Sequence, residues 1–244
     1  MLQNCAIHPR LKAGAFLRGR VKAYFLGLMF SDGNLYITKK NNYAISLCLQ
    51  EKDKAIIETF RDYIAPEHKI YFVNKQNSKW HRQNQYKLLF YNAIIGKQLI
   101  KLGCIPAKSL KLEFPILEKH LIRHFIRGYF DGDGCISSYK RKNGYNSFSI
   151  SLTSTQNFCI ATKQILQTEL NIAPTLYMRF ANGITAELSF GGNQQIYKFM
   201  NWLYDDATVC LQRKHEKFLE LKASLSQKPS HKTKSPGTCQ EPQI

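Results

Sequence analysis

Apolar and polar positions along this chain switch between a helical period and a strand period, and they do so in the same order twice. From Gly19 to Ser31 apolar residues recur at helical spacing (Val21, Phe25, Leu28, Met29), and Asp32-Gly33 supplies a stop. Asn34–Thr38 and Tyr43–Leu49 read as strands joined by the polar tip Lys39-Lys40-Asn41-Asn42, a β-hairpin. Gln50–Ile64 is amphipathic, with Ile56, Ile57, Phe60 and Ile64 on one face and Pro66 ending it. A second hairpin, Lys69–Asn74 with Tyr86–Tyr91, encloses the polar loop Lys75–Gln85; a helix over Ala93–Leu102 and a turn at Ile105–Ser109 follow.

The order then repeats. A helix around Leu121–Phe130 ends at Asp131-Gly132-Asp133-Gly134. Cys135–Lys140 and Asn146–Thr153 form a hairpin whose tip, Arg141-Lys142-Asn143-Gly144, carries the Asn-Gly turn signal. A helix over Asn157–Leu170, the hairpin Leu176–Phe180 with Thr185–Phe190, the helix Ile196–Tyr204, a turn over Ala207–Lys214 and a closing helix Arg213–Leu225 complete it. The unit is α-β-β-α-β-β-α, twice, which makes the fold class α+β with two similar halves. The expected division is a basic leader (1–18), an N-terminal half (19–119), a C-terminal half (120–225) and a polar, disordered tail (226–244).

Each half opens on the same stretch: Tyr24–Gly33, Y-F-L-G-L-M-F-S-D-G, and Phe125–Gly134, F-I-R-G-Y-F-D-G-D-G. A glycine inside a helix costs roughly 1 kcal/mol against alanine. Gly27 and Gly128 therefore predict a compensating close approach between the two helices. If these pack side by side in parallel, Asp32 and Asp133 emerge together at their C-terminal ends. That placement is unfavourable without a partner, because the helix dipole and the neighbouring carboxylate both oppose ionisation. A divalent cation removes the objection. Carboxylates with main-chain carbonyls, here those of Ser31 and Gly132, are hard oxygen donors suited to magnesium, with manganese as a substitute. An EF-hand is excluded, since the twelfth position counted from Asp131 is Lys142.

Charge narrows the partner. Thirty-five Lys and Arg against seventeen Asp and Glu leave +18, spread along the chain, which points to a polyanion and first to nucleic acid. The seven cysteines contain no CxxC pair and their number is odd, so they read as core residues in a reducing compartment: bacterial or phage-host cytoplasm, or an organelle. No apolar run approaches the roughly 18 residues of a membrane span.

Residues 25–33 and 126–134 resemble the motif of the LAGLIDADG homing endonucleases, and with the repeated element order the resemblance extends over about residues 20–222. The first copy carries Phe30 where many members have an additional acid; the acid before the final glycine is present in both, as Asp32 and Asp133. The resemblance implies two pseudo-symmetric αββαββα halves with saddle-shaped antiparallel sheets lying on DNA. It implies a metal-dependent, site-specific endonuclease acting as a monomer, cutting both strands across the minor groove to leave short 3′ overhangs. It further implies a lysine beside each carboxylate, at Lys108 and at Lys214 (Arg213 being the one-residue alternative). It implies a polar residue that orders the attacking water: Gln50 or Glu51 in the first half, Thr155 or Gln156 in the second.

The hairpins supply amide and basic side chains of the kind that contact base edges and phosphates. The candidates are Asn34, Tyr36, Thr38, Lys39, Lys40, Asn41 and Asn42 around the first tip, and Lys75, Asn77, Lys79, His81 and Arg82 in the long loop. Ser138, Lys140, Arg141, Lys142, Asn143 and Arg179 are their counterparts in the second half. Each half would cover roughly 10 bp, so a partly palindromic site of about 20 bp is expected. No protein-splicing segment flanks the repeat, so an intron-encoded or free-standing enzyme is expected. Two other functions use the same fold in this family: assisting intron RNA splicing as a maturase, and regulating transcription without cleavage.

Overall fold

The computed structural model describes residues 19–75, 83–142, 144–179 and 183–226. The leader, the tail beyond Ser226, and the candidate contacts Asn77, Lys79, His81, Arg82 and Asn143 lie outside the described residues. The first half runs α1 (Arg20–Ser31), β1 (Gly33–Ile37), β2 (Tyr43–Gln50), α2 (Lys54–Ile64), β3 (Ile70–Val73), β4 (Gln85–Tyr91) and α3 (Ala93–Lys101). The second repeats it as α4 (Lys119–Asp133), β5 (Gly134–Lys140), β6 (Asn146–Thr155), α5 (Gln156–Leu170), β7 (Thr175–Met178), β8 (Thr185–Gly191) and α6 (Asn193–Tyr204), then adds α7 (Gln212–Ser226). Each half holds one four-stranded antiparallel sheet, in the orders β1-β2-β4-β3 and β5-β6-β8-β7.

The sheets alternate as the period of two demands. Leu35, Ile45, Leu47 and Leu49 face the helices of the first half, and Phe148, Ile150 and Leu152 do so in the second. Between the halves α1 and α4 lie against each other. A Cβ on Gly27 would fall 2.0 Å from the Phe125 carbonyl oxygen, and one on Gly128 would fall 1.9 Å from that of Tyr24. Gly27 thus meets the turn around Gly128, and Ser31 and Asp32 meet Gly132, so the helices run parallel, backbone against backbone. Phe30 packs edge-on against Phe125 across this seam, with ring centroids 5.1 Å apart.

Three boundaries differ from the sequence reading. The helix α4 continues past Phe130 through Asp133, so the second Asp-Gly run is its last turn rather than a turn after it. Gly33 and Gly134 are not left-handed helix stops; both open strands. The segment expected to begin a helix at Gln50 instead leaves β2 through a single 3₁₀ turn, Glu51–Asp53.

Candidate metal centre and nucleic-acid interface

Parallel packing brings the two motif ends together. A Cβ on Gly132 would sit 1.9 Å from Ser31 Oγ and 2.6 Å from Asp32 Oδ2, so only glycine lets the first motif's carboxylate lie across the second motif's backbone. Asp32 and Asp133 are open to solvent on one side and crowded by protein on the other. Crowding, with the charge of Asp133 next, pushes the Asp32 carboxyl up from 3.8 to about 6. Asp133 is also raised by loss of solvation, against the lowering pull of Lys108, Lys214 and the Tyr129 hydroxyl. Asp131 is not part of this pair. It is fully buried and accepts from the hydroxyls of Tyr24 and Tyr204 and from the Leu211 amide (2.8 Å), tying α4 to the start of α7. Its counterpart Phe30 fills the equivalent space with a ring, so the drift of the first motif touches packing and leaves the carboxylate pair complete.

The two lysines occupy equivalent places. Lys108 donates to the carbonyl of Gly33, and Lys214 donates to the carbonyl of Gly134 at 2.6 Å. Lys214 also donates to the carbonyls of Phe130 and, at 2.8 Å, Asp131. Three acceptors take all three of its ammonium protons, so in this structure Lys214 holds the end of α4 together and has no proton left for a phosphate. Burial brings it down to about 8 and also lowers Lys108. Arg213, the alternative, reaches Asp53 at 3.3 Å and the Asp131 carbonyl.

Position 50 resolves in register. Gly33 pairs with Leu47 and Gly134 with Leu152, so Gln50 and Thr155 are equivalent. Glu51 faces outward, where it accepts from Asn84 at 3.1 Å. Gln50 Oε1 is buried with no hydrogen-bond partner among the described residues. Thr155 is committed: it caps α5 by accepting from the Phe158 amide and donates to the Leu112 carbonyl. The two crowded carboxylates are hard oxygen donors of the kind that a divalent cation fits. No group of three or more His, Cys, Asp or Glu forms a separate metal cluster among the described residues.

The face of each sheet turned away from the helices forms a second surface. In the first half Asn34 and Tyr36 project there, with Ser46, Gln85, Lys87 and Tyr91 beside them by register. Thr38, Lys39, Lys40, Asn41 and Asn42 form the tip, closed by the Asn42 amide on Thr38 Oγ1 and by Asn41 at φ +54°. Lys75 follows β3, its amide on Asn84 Oδ1. In the second half Ser138 and Lys140 share the register of Ile136 and so point to the helix side. Ser138 meets Glu220 and Lys217 of α7 there, in place of an open-face position. Arg141 lies at the tip and donates to Ser147 Oγ, with exposed Lys142 beside it, while Arg179 is paired with Glu187 at 3.1 Å. The open face proper carries Tyr139, Ser147, Ser149, Ser151, Thr153 and Ser189. Its signal was present in the strict alternation Ser147-Phe148-Ser149-Ile150-Ser151-Leu152-Thr153.

Comparison with known proteins places this arrangement. Residues 120–201 match the family model described as a LAGLIDADG-like domain. The whole fold matches I-LtrWI, a LAGLIDADG homing endonuclease bound to target DNA, with TM-score 0.57 and 13% identity over 85% of this chain and 91% of that one. It matches I-SmaMI, bound to an uncleaved DNA target in the presence of calcium ions, with TM-score 0.56 and 11% identity over 83% and 90%. The meganuclease I-AabMI, bound to uncleaved DNA, gives 0.53 and 15% over 83% and 88%. No curated protein matches. The chain thus has the fold of the LAGLIDADG homing endonucleases, and its second half carries a LAGLIDADG-like domain.

Proposed function

We propose that this protein is a divalent-metal-dependent endonuclease that recognises a long, partly palindromic double-stranded DNA site and hydrolyses both strands. The observation that carries the reading is the pairing of Asp32 and Asp133 at the touching ends of α1 and α4. Packing at Gly27, Gly128 and Gly132 enforces that pairing although it opposes ionisation. A protein that only binds DNA has no use for two strained carboxylates at that point. Asp32, Asp133 and the carbonyls of Ser31 and Gly132 would hold the metal, which when bound supplies an activated water and stabilises the leaving oxygen. The chain's own contribution is positional. Gln50 offers a buried amide oxygen to a water, while Lys108 and Lys214 neutralise the pair and fix the helix ends. The open sheet faces and hairpin tips would follow the DNA, as the basic charge requires. Magnesium is the expected ion and the monomer the expected species.

A plasmid carrying the intron-free form of its insertion site, incubated with magnesium, tests this. Linear product that disappears with Asp32→Asn or Asp133→Asn supports it. Intact plasmid, together with full biological activity of both variants, favours the RNA maturase or the non-cleaving regulator.

A further inference from the structure

The repeat lets each position on one open sheet face be compared with its counterpart on the other. Gly33 pairs with Leu47 and Gly134 with Leu152, so Cys48 and Thr153 are equivalent. Across the next strands Cys48 faces Lys87 and then Tyr71, while Thr153 faces Glu187 and then Tyr177. The two rows occupy the same place in the two halves, and both end in an exposed tyrosine. Their centres carry opposite charge. Glu187 lies on the open face, because its neighbours Ala186 and Leu188 are buried on the helix side. Among the described residues it is the one Asp or Glu in any strand.

A carboxylate on a surface that meets phosphates is repelled by them, so its presence there calls for a partner. Arg179 supplies one: its Nη1 lies 3.1 Å from Glu187 Oε2, and the pair is neutral as a whole. The backbone holds the two side by side, since the Arg179 amide donates to the Thr185 carbonyl and continues the β7–β8 ladder beyond Met178. Guanidinium only donates and carboxylate only accepts, so the pair presents a donor fork next to an acceptor. A C·G base pair offers the complement in the major groove: guanine shows the acceptors O6 and N7 to a guanidinium, and cytosine shows its N4 amino donor to a carboxylate. The adenine amino group is flanked by acceptors, its own N7 and the thymine O4, which repel a carboxylate. Lys87, at the equivalent position of the first half, has donors only and cannot take an amino proton.

With the open faces taken as the surface that meets duplex DNA, as in the function proposed above, we propose that the Arg179–Glu187 pair selects a C·G base pair in the second half-site. The target departs from its palindrome at that step, because Lys87 stands at the mirror position of the first half. The test measures competition binding of the full chain, without magnesium and at fixed salt. The duplexes are the intron-free insertion site and each single-base-pair substitution of it. The wild type should prefer C·G by roughly tenfold at one position of the second half-site. Glu187→Ala should lose that preference, and Glu187→Gln should move it toward A·T, because an amide side chain matches adenine. Preferences in the first half-site should stay as in the wild type. An unchanged profile in both variants, or an equal loss at every base pair, overturns the proposal, while wild-type discrimination of the site leaves the endonuclease reading standing. A wild type that binds the insertion site no better than an unrelated duplex overturns both.

Discussion

Asp32 lies at the joined motif ends, crowded by protein and beside the charge of Asp133. Its carboxyl is raised from 3.8 to about 6, so the folded protein holds that proton more tightly than the unfolded chain. Stability is therefore lost as pH rises through that window, and the loss persists at neutral pH. Asp32→Asn is expected to raise Tm at neutral pH and to leave it nearly unchanged below about pH 4, checked by calorimetry across pH. A divalent cation relieves the same repulsion, so magnesium should raise wild-type Tm at neutral pH and lose this effect as pH falls below about 6. Burial of the Lys214 charge likewise costs stability at neutral pH, and its hydrogen bonds to main-chain carbonyls offset that cost. Lys214→Met leaves three carbonyls without their donor, and a loss of about 2–4 kcal/mol is expected in urea unfolding. Lys108→Met should lose less, because Lys108 meets one carbonyl. The places of Asp32, Asp133 and the two lysines were legible because each recurs at the same point of a repeat. The saturation of Lys214 was not, since it depends on how α7 folds back over the end of α4.

At the scale of elements, the seam between α1 and α4 decides everything downstream of it. Alanine at Gly27 or Gly128 gains roughly 1 kcal/mol of helix propensity. It also drives a methyl group into backbone oxygens that cannot step aside as a side chain could. Overpacking wins, and each variant should lose about 3 kcal/mol or more in urea unfolding. Gly132→Ala tests the site more selectively, because its methyl group meets Ser31 Oγ and the Asp32 carboxylate. It should keep the fold and weaken manganese binding, measured by titration. Strands and helices were legible because period two and period 3.6 were clean in β6 and α2. The end of α4 was not, because Asp-Gly reads as a stop while Gly132 continues the helix to let Asp32 close over it. Ser138 was misplaced by one step of the pleat: polarity alone does not say which face of β5 it occupies, and the pairing of Ser138 with Phe148 does.

Over the whole molecule, two sheets of different character flank one carboxylate pair. The open face of the first carries Asn34, Tyr36, Gln85 and Lys87; that of the second is a field of serines and threonines. With a charge of +18, affinity for duplex DNA should fall linearly on a log–log plot against salt. Lys87→Ala should reduce that slope by about one if the open face carries the phosphate contacts. The central claim is that both halves contribute to one metal centre. Manganese bound to the protein–duplex complex, counted by electron paramagnetic resonance at neutral pH, tests it most directly. Wild type should bind manganese, and Asp32→Asn and Asp133→Asn should each lose it while still binding the duplex. Unchanged manganese binding in both variants would contradict a shared centre at the joined ends of α1 and α4.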